Sequence, residues 1–142
     1  MNDPAIINEM LRSAQTIAVV GMSDKAWRPS HNIGRYLAMQ GYHVFPVNPS
    51  LTEVLGLKCY PDIESAHAAA QKDYPKGIDL VDVFRTSENV PPIVDDVIRL
   101  GIPYLWLQED VINVKAIARA RAAGVKCVQN ACIFREHAQR VG

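Results

Sequence analysis

A glycine and a serine that follow a short apolar run are the residues of this chain best suited to bind an anion. They stand in the order Val20-Gly21-Met22-Ser23. Glycine has no Cβ to hold a phosphate at a distance, and serine offers a hydroxyl and a backbone N–H. A helix that begins soon after them would add unpaired N–H groups and the positive end of its dipole. The pattern predicts a phosphate-binding loop.

The loop between Met22 and Pro29 also carries two cations, Lys25 and Arg28. Both are placed to meet phosphate oxygens, and arginine can form bidentate hydrogen bonds with them. Simple solvation is the alternative for each. Because the chain has 15 cationic and 15 anionic side chains, its formal charge is zero and attraction for phosphate must be local. We therefore expect no nucleic-acid partner.

Two departures from the usual dinucleotide-binding pattern reduce the number of candidate ligands. The G-x-G-x-x-G fingerprint is absent, since the next glycine after Gly21 is Gly34. A later strand ends in Val47-Asn48-Pro49, without the Asp or Glu that usually binds the ribose of NAD. A neutral tip does not repel a phosphorylated ribose, so NADP or coenzyme A is favoured over NAD. Asn48 either hydrogen-bonds ribose or adenine, or only forms a turn.

Residues capable of catalysis are scattered rather than grouped. No histidine has a nearby Ser or Cys with an acidic partner that would suggest a nucleophilic triad. His31 lies close to the predicted loop, where it either donates a hydrogen bond to a phosphate or a thioester or is an ordinary surface residue of the first helical turn. The three cysteines lack a C-x-x-C pair, which argues against a disulfide framework or a zinc site. Cys132 either packs or offers a thiol to the ligand. We predict no catalytic residues and no metal.

Strand and helix patterns alternate along the chain and supply the frame for these residues. The predicted strands span 17–20, 42–47, 78–84, 103–107 and 125–129, and the predicted helices span 4–14, 30–40, 62–72, 90–100, 113–123 and 133–140. Residues 51–61 are expected to be irregular or a short edge element. The alternation implies parallel pairing through right-handed crossovers.

The predicted fold is therefore α/β, a three-layer, Rossmann-like, doubly wound parallel sheet of about five strands in the order 3-2-1-4-5. One domain over residues 1–142 is expected at this length. Ligands of such sheets bind beyond the carboxyl ends of the strands, where the strand order reverses. Here those ends are 21–30, 48–49, 85–87, 108–110 and Asn130.

The composition predicts a cytoplasmic protein without a membrane partner. The hydrophobic content is 49%, and apolar runs such as Ile17 to Val20 are too short to cross a bilayer. The start, Met1-Asn2-Asp3-Pro4, lacks the basic residues and apolar stretch of an export signal.

Several short segments, taken in order, resemble the stand-alone CoA-binding proteins of bacteria and archaea. Those proteins share a Rossmann-like domain with the nucleotide-binding part of the succinyl-CoA synthetase α subunit. The resemblance spans nearly all of the chain. The segments that carry it are Val20-Gly21-Met22-Ser23, Arg28-Pro29-Ser30, Gly41 to Pro49, Gly56 with Tyr60-Pro61, Asp79 to Arg85, Trp106-Leu107-Gln108 and Cys132.

The resemblance implies that coenzyme A binds through its ADP portion. Gly21 and Ser23 would lie near the diphosphate, with the adenosine near the second strand tip and the remaining residues on either side of the cleft. The predicted ligand-binding residues are Gly21, Met22, Ser23, Lys25, Arg28, Ser30, Val47, Asn48, Pro49, Phe84 and Arg85.

The sequence departs from the family pattern at two places. Glu109-Asp110 stand where similar sequences commonly have glycine, and Gln129-Asn130-Ala131 replace a charged pair before Cys132. Two carboxylates beside a polyanionic ligand would repel it. The departure weakens the expectation for the pantetheine side of the cleft more than for the phosphate side.

The leading interpretation is non-catalytic binding of coenzyme A or acyl-CoA, a small-molecule partner, at the C-terminal edge of the sheet. An NAD(P)-binding oxidoreductase or redox-sensing domain is one alternative with the same fold. An interaction subunit of a separately encoded acyl-CoA ligase is another. A protein partner or a homo-oligomer stays open.

Overall fold

A computed structural model of the chain describes residues 2–141 and contains a central sheet of five parallel strands. The sheet consists of β1 (Thr16–Val20), β2 (His43–Val47), β5 (Leu80–Val83), β6 (Tyr104–Leu107) and β7 (Lys126–Val128). A separate antiparallel hairpin is formed by β3 (Glu53–Val54) and β4 (Leu57–Lys58). The helices are α1 (Pro4–Ser13), α2 (Pro29–Met39), α3 (Ile63–Ala70), α4 (Val90–Leu100), α5 (Val114–Ala122) and α6 (Ile133–Val141).

The α/β class and the parallel sheet are confirmed, but the predicted strand order 3-2-1-4-5 is wrong. The order is β2-β1-β5-β6-β7, so the third long strand pairs with β1 instead of lying outside β2. Pro46 explains why β2 is an edge strand. Its carbonyl accepts the N–H of Tyr60 at 2.9 Å on the outer side of β2, where proline has no N–H for a neighbouring strand.

Helices cover both faces of the sheet, so all five residues of β1 are buried, and the apolar residues from Ile17 to Val20 alternate between two cores. Ala18 and Val20 belong to the core that packs against α3, α4 and α5. Ile17 and Val19 belong to the core that includes residues of α1, α2 and α6. Across residues 2–141, the helices fall short of the length and apolar character needed to span a membrane.

The N-terminus of α2 differs from those of three other helices. Side chains of Asp3, Asp62 and Asn113 accept hydrogen bonds from backbone N–H groups at the starts of α1, α3 and α5. At α2 the corresponding residue is Arg28, which makes no such bond, and Pro29 follows it. The first turn of α2 is therefore not closed by its own N-cap side chain.

Candidate functional site

A cleft of about 810 Å³ opens at the carboxyl ends of β1, β2, β5 and β6. Its walls come from the loop before α2, the turn after β2 and the segments that follow β5 and β6. The lining residues are Gly21, Ser23, Asp24, Lys25, Arg28, Pro29, Ser30, Asn48, Ser50, Leu51, Phe84, Arg85, Thr86, Asn89, Gln108, Glu109, Asp110 and Val111. The cleft lies where the strand connections change direction, between β1 and β5.

Gly21 turns the chain out of β1 against the end of β5. Its φ is +85°, and a Cβ at this position would lie 2.3 Å from the carbonyl oxygen of Phe84. Its N–H donates to the carbonyl of Val47 at 2.8 Å. Gly21 is thus required by the backbone itself, and its own N–H is already used by the sheet.

Ser23 is the centre of a hydrogen-bond network that fixes the loop before α2. Its N–H donates to Oγ of Ser30 at 3.0 Å, and its Oγ accepts the N–H of Lys25 at 3.0 Å. His31 Nδ1 lies 2.9 Å from the carbonyl oxygen of Ser23. Because a carbonyl only accepts, His31 carries a proton on Nδ1. His31 therefore holds the loop in place, and the hydroxyl proton of Ser23 stays available to a ligand.

Asn48 holds the turn after β2 in the same way. Its Nδ2 donates to the carbonyl of Met22 at 3.1 Å, and its Oδ1 accepts the N–H of Ser50 at 2.9 Å. The side chain thus forms the expected turn and ties it to the loop after β1. Asn48 also lines the cleft.

Three of the predicted ligand-binding residues have side chains that do not line the cleft. Met22 is fully buried and packs against Gly34, where a Cβ would lie 2.4 Å from Cε of Met22. Val47 belongs to the core of the sheet, and Pro49 is exposed outside the cleft wall. The resemblance extended to whole segments, whereas neighbouring side chains in a segment point in different directions.

Two arginines bring positive charge to the cleft. Arg85 is half-buried beside Gly21, where a Cβ would lie 3.4 Å from its Nε. Neither the Arg85 nor the Arg28 side chain has a hydrogen bond or ion pair to any residue in the range 2–141. Lys25 is exposed, and its Nζ lies 4.0 Å from the carboxylate of Asp24. Guanidinium groups without partners favour an anionic ligand.

Residues 15–138 match the family described as the CoA binding domain. The chain belongs to this family. It is 33% identical over 134 residues to the uncharacterized protein YneT of Bacillus subtilis, covering 94% of this chain and 93% of that protein. A hypothetical protein from Pyrococcus horikoshii OT3 has a similar structure, with a TM-score of 0.86, 36% identity and coverage of 99% of this chain and 93% of that one.

A larger enzyme contains a similar CoA-binding domain. The dinucleotide forming acetyl-coenzyme A synthetase 1 of Candidatus Korarchaeum cryptofilum matches with a TM-score of 0.68 and 26% identity. The match covers 86% of this chain but 27% of the synthetase. The similarity therefore concerns one part of that enzyme.

The acidic end of this CoA-binding domain is less negative than the sequence suggested. Arg135 donates from its Nη1 to the carboxylate of Glu109 at 2.6 Å, so one of the two carboxylates Glu109 and Asp110 is paired with a cation. This hydrogen bond raises the pKa of Arg135. The expected repulsion of a polyanion thus falls mainly to Asp110, which has no ion pair within residues 2–141.

Sequence reasoning left several cleft residues out of the predicted binding set: Asp24, Pro29, Ser50, Leu51, Thr86, Asn89, Gln108, Glu109, Asp110 and Val111. The rule that ligands bind at strand ends pointed to some of these segments but not to particular side chains. Leu51 and Asn89 reach the cleft only because the chain turns back beyond the strand end. Neither the composition nor the spacing of the sequence around these two residues indicates that they line the cleft.

The cysteines of the CoA-binding domain are all free and buried. Burial raises the pKa of the Cys127 thiol to about 11, so this cysteine is a thiol at neutral pH. Cys132 is 8% exposed and is not among the residues that line the cleft. The part of the chain that the structure describes contains no cluster of His, Cys, Asp or Glu suited to a metal.

Proposed function

We propose that this protein binds coenzyme A or acyl-CoA reversibly through the ADP portion and does no chemistry alone. The observation that carries the proposal is Arg85, a half-buried cation without a protein partner in the cleft of a CoA-binding domain. A half-buried guanidinium without a protein partner has N–H donors free to form charge-assisted hydrogen bonds with an anionic ligand.

The diphosphate is assigned to the space between Arg85 and the start of α2. Arg28 and Ser23 border the same space. The first turn of α2 adds the N–H of Ser30 and a positive dipole end, since Pro29 has no N–H and the N–H groups of His31 and Asn32 donate to the carbonyl of Arg28. Cationic side chains, a hydroxyl and helix N–H groups are the donors that bind phosphate oxygens. The donor set therefore fits the phosphates of coenzyme A.

The adenosine is assigned to the wall formed by Asn48, Ser50 and Leu51. This wall has no carboxylate, so it tolerates the 3′-phosphate that distinguishes coenzyme A from NAD. The pantetheine arm then runs past Phe84 toward Gln108 and Val111, across the sheet edge. The cleft volume of about 810 Å³ is in the range of small-molecule and cofactor sites.

Isothermal titration with coenzyme A, dephospho-CoA, NAD and NADP tests the proposal. Coenzyme A is expected to bind most tightly, and preference for NAD would refute it. The Arg85→Gln variant should lose about tenfold to a hundredfold in affinity for coenzyme A, because charge-assisted hydrogen bonds to phosphate disappear. Arg12→Gln is the matched control, since Arg12 is exposed, lies outside the cleft and carries the same charge.

A second function, as an interaction subunit of a separately encoded acyl-CoA ligase, has one observation in its favour. The region similar to this chain makes up 27% of an acetyl-coenzyme A synthetase, so the similarity concerns one part of a ligase. Co-purification of a ligase with the tagged protein from its own lysate would support this role. Recovery of the protein alone, with coenzyme A bound, would favour the first function.

A further inference from the structure

Gln108 is a polar side chain inside the cleft that the predicted binding set does not include. It follows β6 directly and is 5% exposed, yet it lines the cleft. Both of its backbone polar groups form hydrogen bonds. Its N–H donates to the carbonyl of Val83, and its carbonyl accepts the N–H of Val111 at 3.0 Å. The side chain is therefore held at a fixed place in the cleft wall.

The orientation of the Gln108 carboxamide is set by α6. Its Oε1 accepts the N–H of Ile133, the first residue of α6, at 3.2 Å. A backbone N–H only donates, so the atom that faces it must be the amide oxygen. The amide nitrogen consequently points away from α6.

The Nε2 group of Gln108 makes no hydrogen bond to any residue in the range 2–141. It is also not among the sealed side-chain atoms without partners in this range, which are the two carboxylate oxygens of Asp82. The amide nitrogen is thus reachable, and the cleft is the space that Gln108 borders. Two N–H donors are available to a ligand in a largely buried setting, where an unmade hydrogen bond is costly.

The charges around Gln108 restrict which acceptor it can meet. Glu109 is balanced by Arg135, whereas Asp110 has no ion pair among the described residues. A neutral donor beside a carboxylate suits a neutral acceptor, such as a carbonyl oxygen, better than another anion. The cations Arg28 and Arg85 border the same cleft.

We propose that Gln108 is a specificity-determining residue that donates from Nε2 to a neutral carbonyl oxygen of the pantetheine arm or of its acyl group. The proposal rests on the proposed function, because the phosphates must lie at Arg85 for the arm to reach Gln108. It separates coenzyme A from ligands that share its ADP portion but lack the arm.

Two substitutions distinguish donation from capping of α6. Gln108→Glu keeps an acceptor for the N–H of Ile133 but removes both donors, whereas Gln108→Met removes the acceptor as well. Gln129→Glu is the matched control. The Oε1 of Gln129 accepts the N–H of Asn113 at the start of α5, and Gln129 lies outside the cleft.

The experiment is calorimetric titration of each variant with coenzyme A, acetyl-CoA and 3′-phosphoadenosine 5′-diphosphate, together with its melting temperature. Both Gln108 variants should lose about fivefold to tenfold in affinity for coenzyme A relative to the diphosphate, which is the value of one or two hydrogen bonds. A further loss confined to acetyl-CoA would assign the contact to the acyl carbonyl. The Gln129 variant should keep the wild-type ratio.

Each remaining outcome counts against the proposal. Equal losses for all three ligands, or wild-type affinity in Gln108→Glu with a lowered melting temperature only in Gln108→Met, would leave Gln108 a capping residue. If the wild-type protein binds the diphosphate as tightly as coenzyme A, the arm makes no contact and this inference alone fails. If it binds none of the three ligands, the proposed function fails as well.

Discussion

The two edges of the sheet use their polar groups in opposite ways. At the N-terminal edge, Asp79 accepts the N–H groups of Gln15 and Thr16 at 2.7 and 3.3 Å. The hydroxyl of Thr16 in turn donates to the carbonyl of Gly77 and accepts the N–H of Asp79, both at 2.8 Å. These groups satisfy one another within the protein.

At the C-terminal edge, by contrast, several strong donors have no protein partner within residues 2–141. The guanidinium groups of Arg28 and Arg85 and the amide nitrogen of Gln108 are the main ones. Closed networks stabilise a fold, whereas open donors gain their hydrogen bonds from a ligand. The comparison predicts that substitutions at the first edge change stability, and substitutions at the second change mainly binding.

Gly21→Ala should have the largest effect, and it is an exception to this comparison because a substitution at the binding edge should here change stability. Gly21 lies at the binding edge, but its added Cβ would meet the Phe84 carbonyl at 2.3 Å in a left-handed conformation. We expect a loss of about 3 kcal/mol in the free energy of unfolding, measured by urea denaturation. Gly124→Ala is the control, because its φ is +92° but its Cβ would meet nothing within 4 Å. It should cost about 1 kcal/mol, and equal losses would contradict the proposed clash.

Asp79→Ala should have the next largest effect, and it tests directly whether a substitution at the N-terminal edge changes stability without changing binding. It removes the acceptor for two backbone N–H groups at the start of β1, so the free energy of unfolding should fall by about 2 kcal/mol. Affinity for coenzyme A, measured by titration of the folded variant, should not change. Asp96→Ala is a suitable control, since it removes only the exposed ion pair with Arg99. Weakened binding in Asp79→Ala would show that the two edges are coupled.

The strands themselves were predictable from sequence, whereas their neighbours were not. Short segments rich in apolar residues, such as Ile17 to Val20 and Leu80 to Val83, indicate buried strands even though Asp82 lies in the second one. Such a segment does not indicate which strand it pairs with. Pro46 was the available signal for the order. A proline in β2 favours an edge strand, which excludes another strand on its outer side.

The candidate site divides along similar lines. Gly21 and Arg28 were identifiable because loop chemistry at a strand end is local in sequence. The ion pair of Arg135 with Glu109 was not, since it joins residues 26 positions apart through the packing of α6. The inward direction of Met22 likewise depends on Gly34 in α2, which only the folded chain brings beneath it.

Asp82 lies between the two edges, in the middle of β5. It is neither satisfied by other protein groups nor open to a ligand. Both of its carboxylate oxygens are buried without a hydrogen-bond partner in the range 2–141. Burial raises the pKa of this carboxyl well above its usual value of 3.8. The folded state therefore holds a proton that the unfolded state releases above about pH 4.

The consequence is that stability from Asp82 is fully present at acid pH and is lost as the pH rises toward its folded pKa. The wild-type protein should lose about 1.4 kcal/mol per pH unit relative to Asp82→Asn in this window. The difference between the two proteins isolates Asp82 from His67 and His137, whose pKa values are lowered by burial and whose contributions have the opposite sign. Parallel pH profiles in urea denaturation would mean that Asp82 is ionised in the folded state.

Arg28→Gln should have the smallest effect and sharpens the comparison within the binding edge. Arg28 is exposed at the start of α2, whereas Arg85 is half-buried beside Gly21. An exposed cation is well solvated before the ligand arrives, so its loss should weaken coenzyme A binding by only about twofold to fivefold. Salt dependence distinguishes the contributions of the two arginines further, because at 1 M salt the screening length falls to about 3 Å and exposed charges are screened most. In titrations at low and high salt, high salt should abolish the loss of affinity caused by Arg28→Gln and preserve most of the loss caused by Arg85→Gln. Equal sensitivity would place the phosphates at the rim of the cleft instead of beside Arg85.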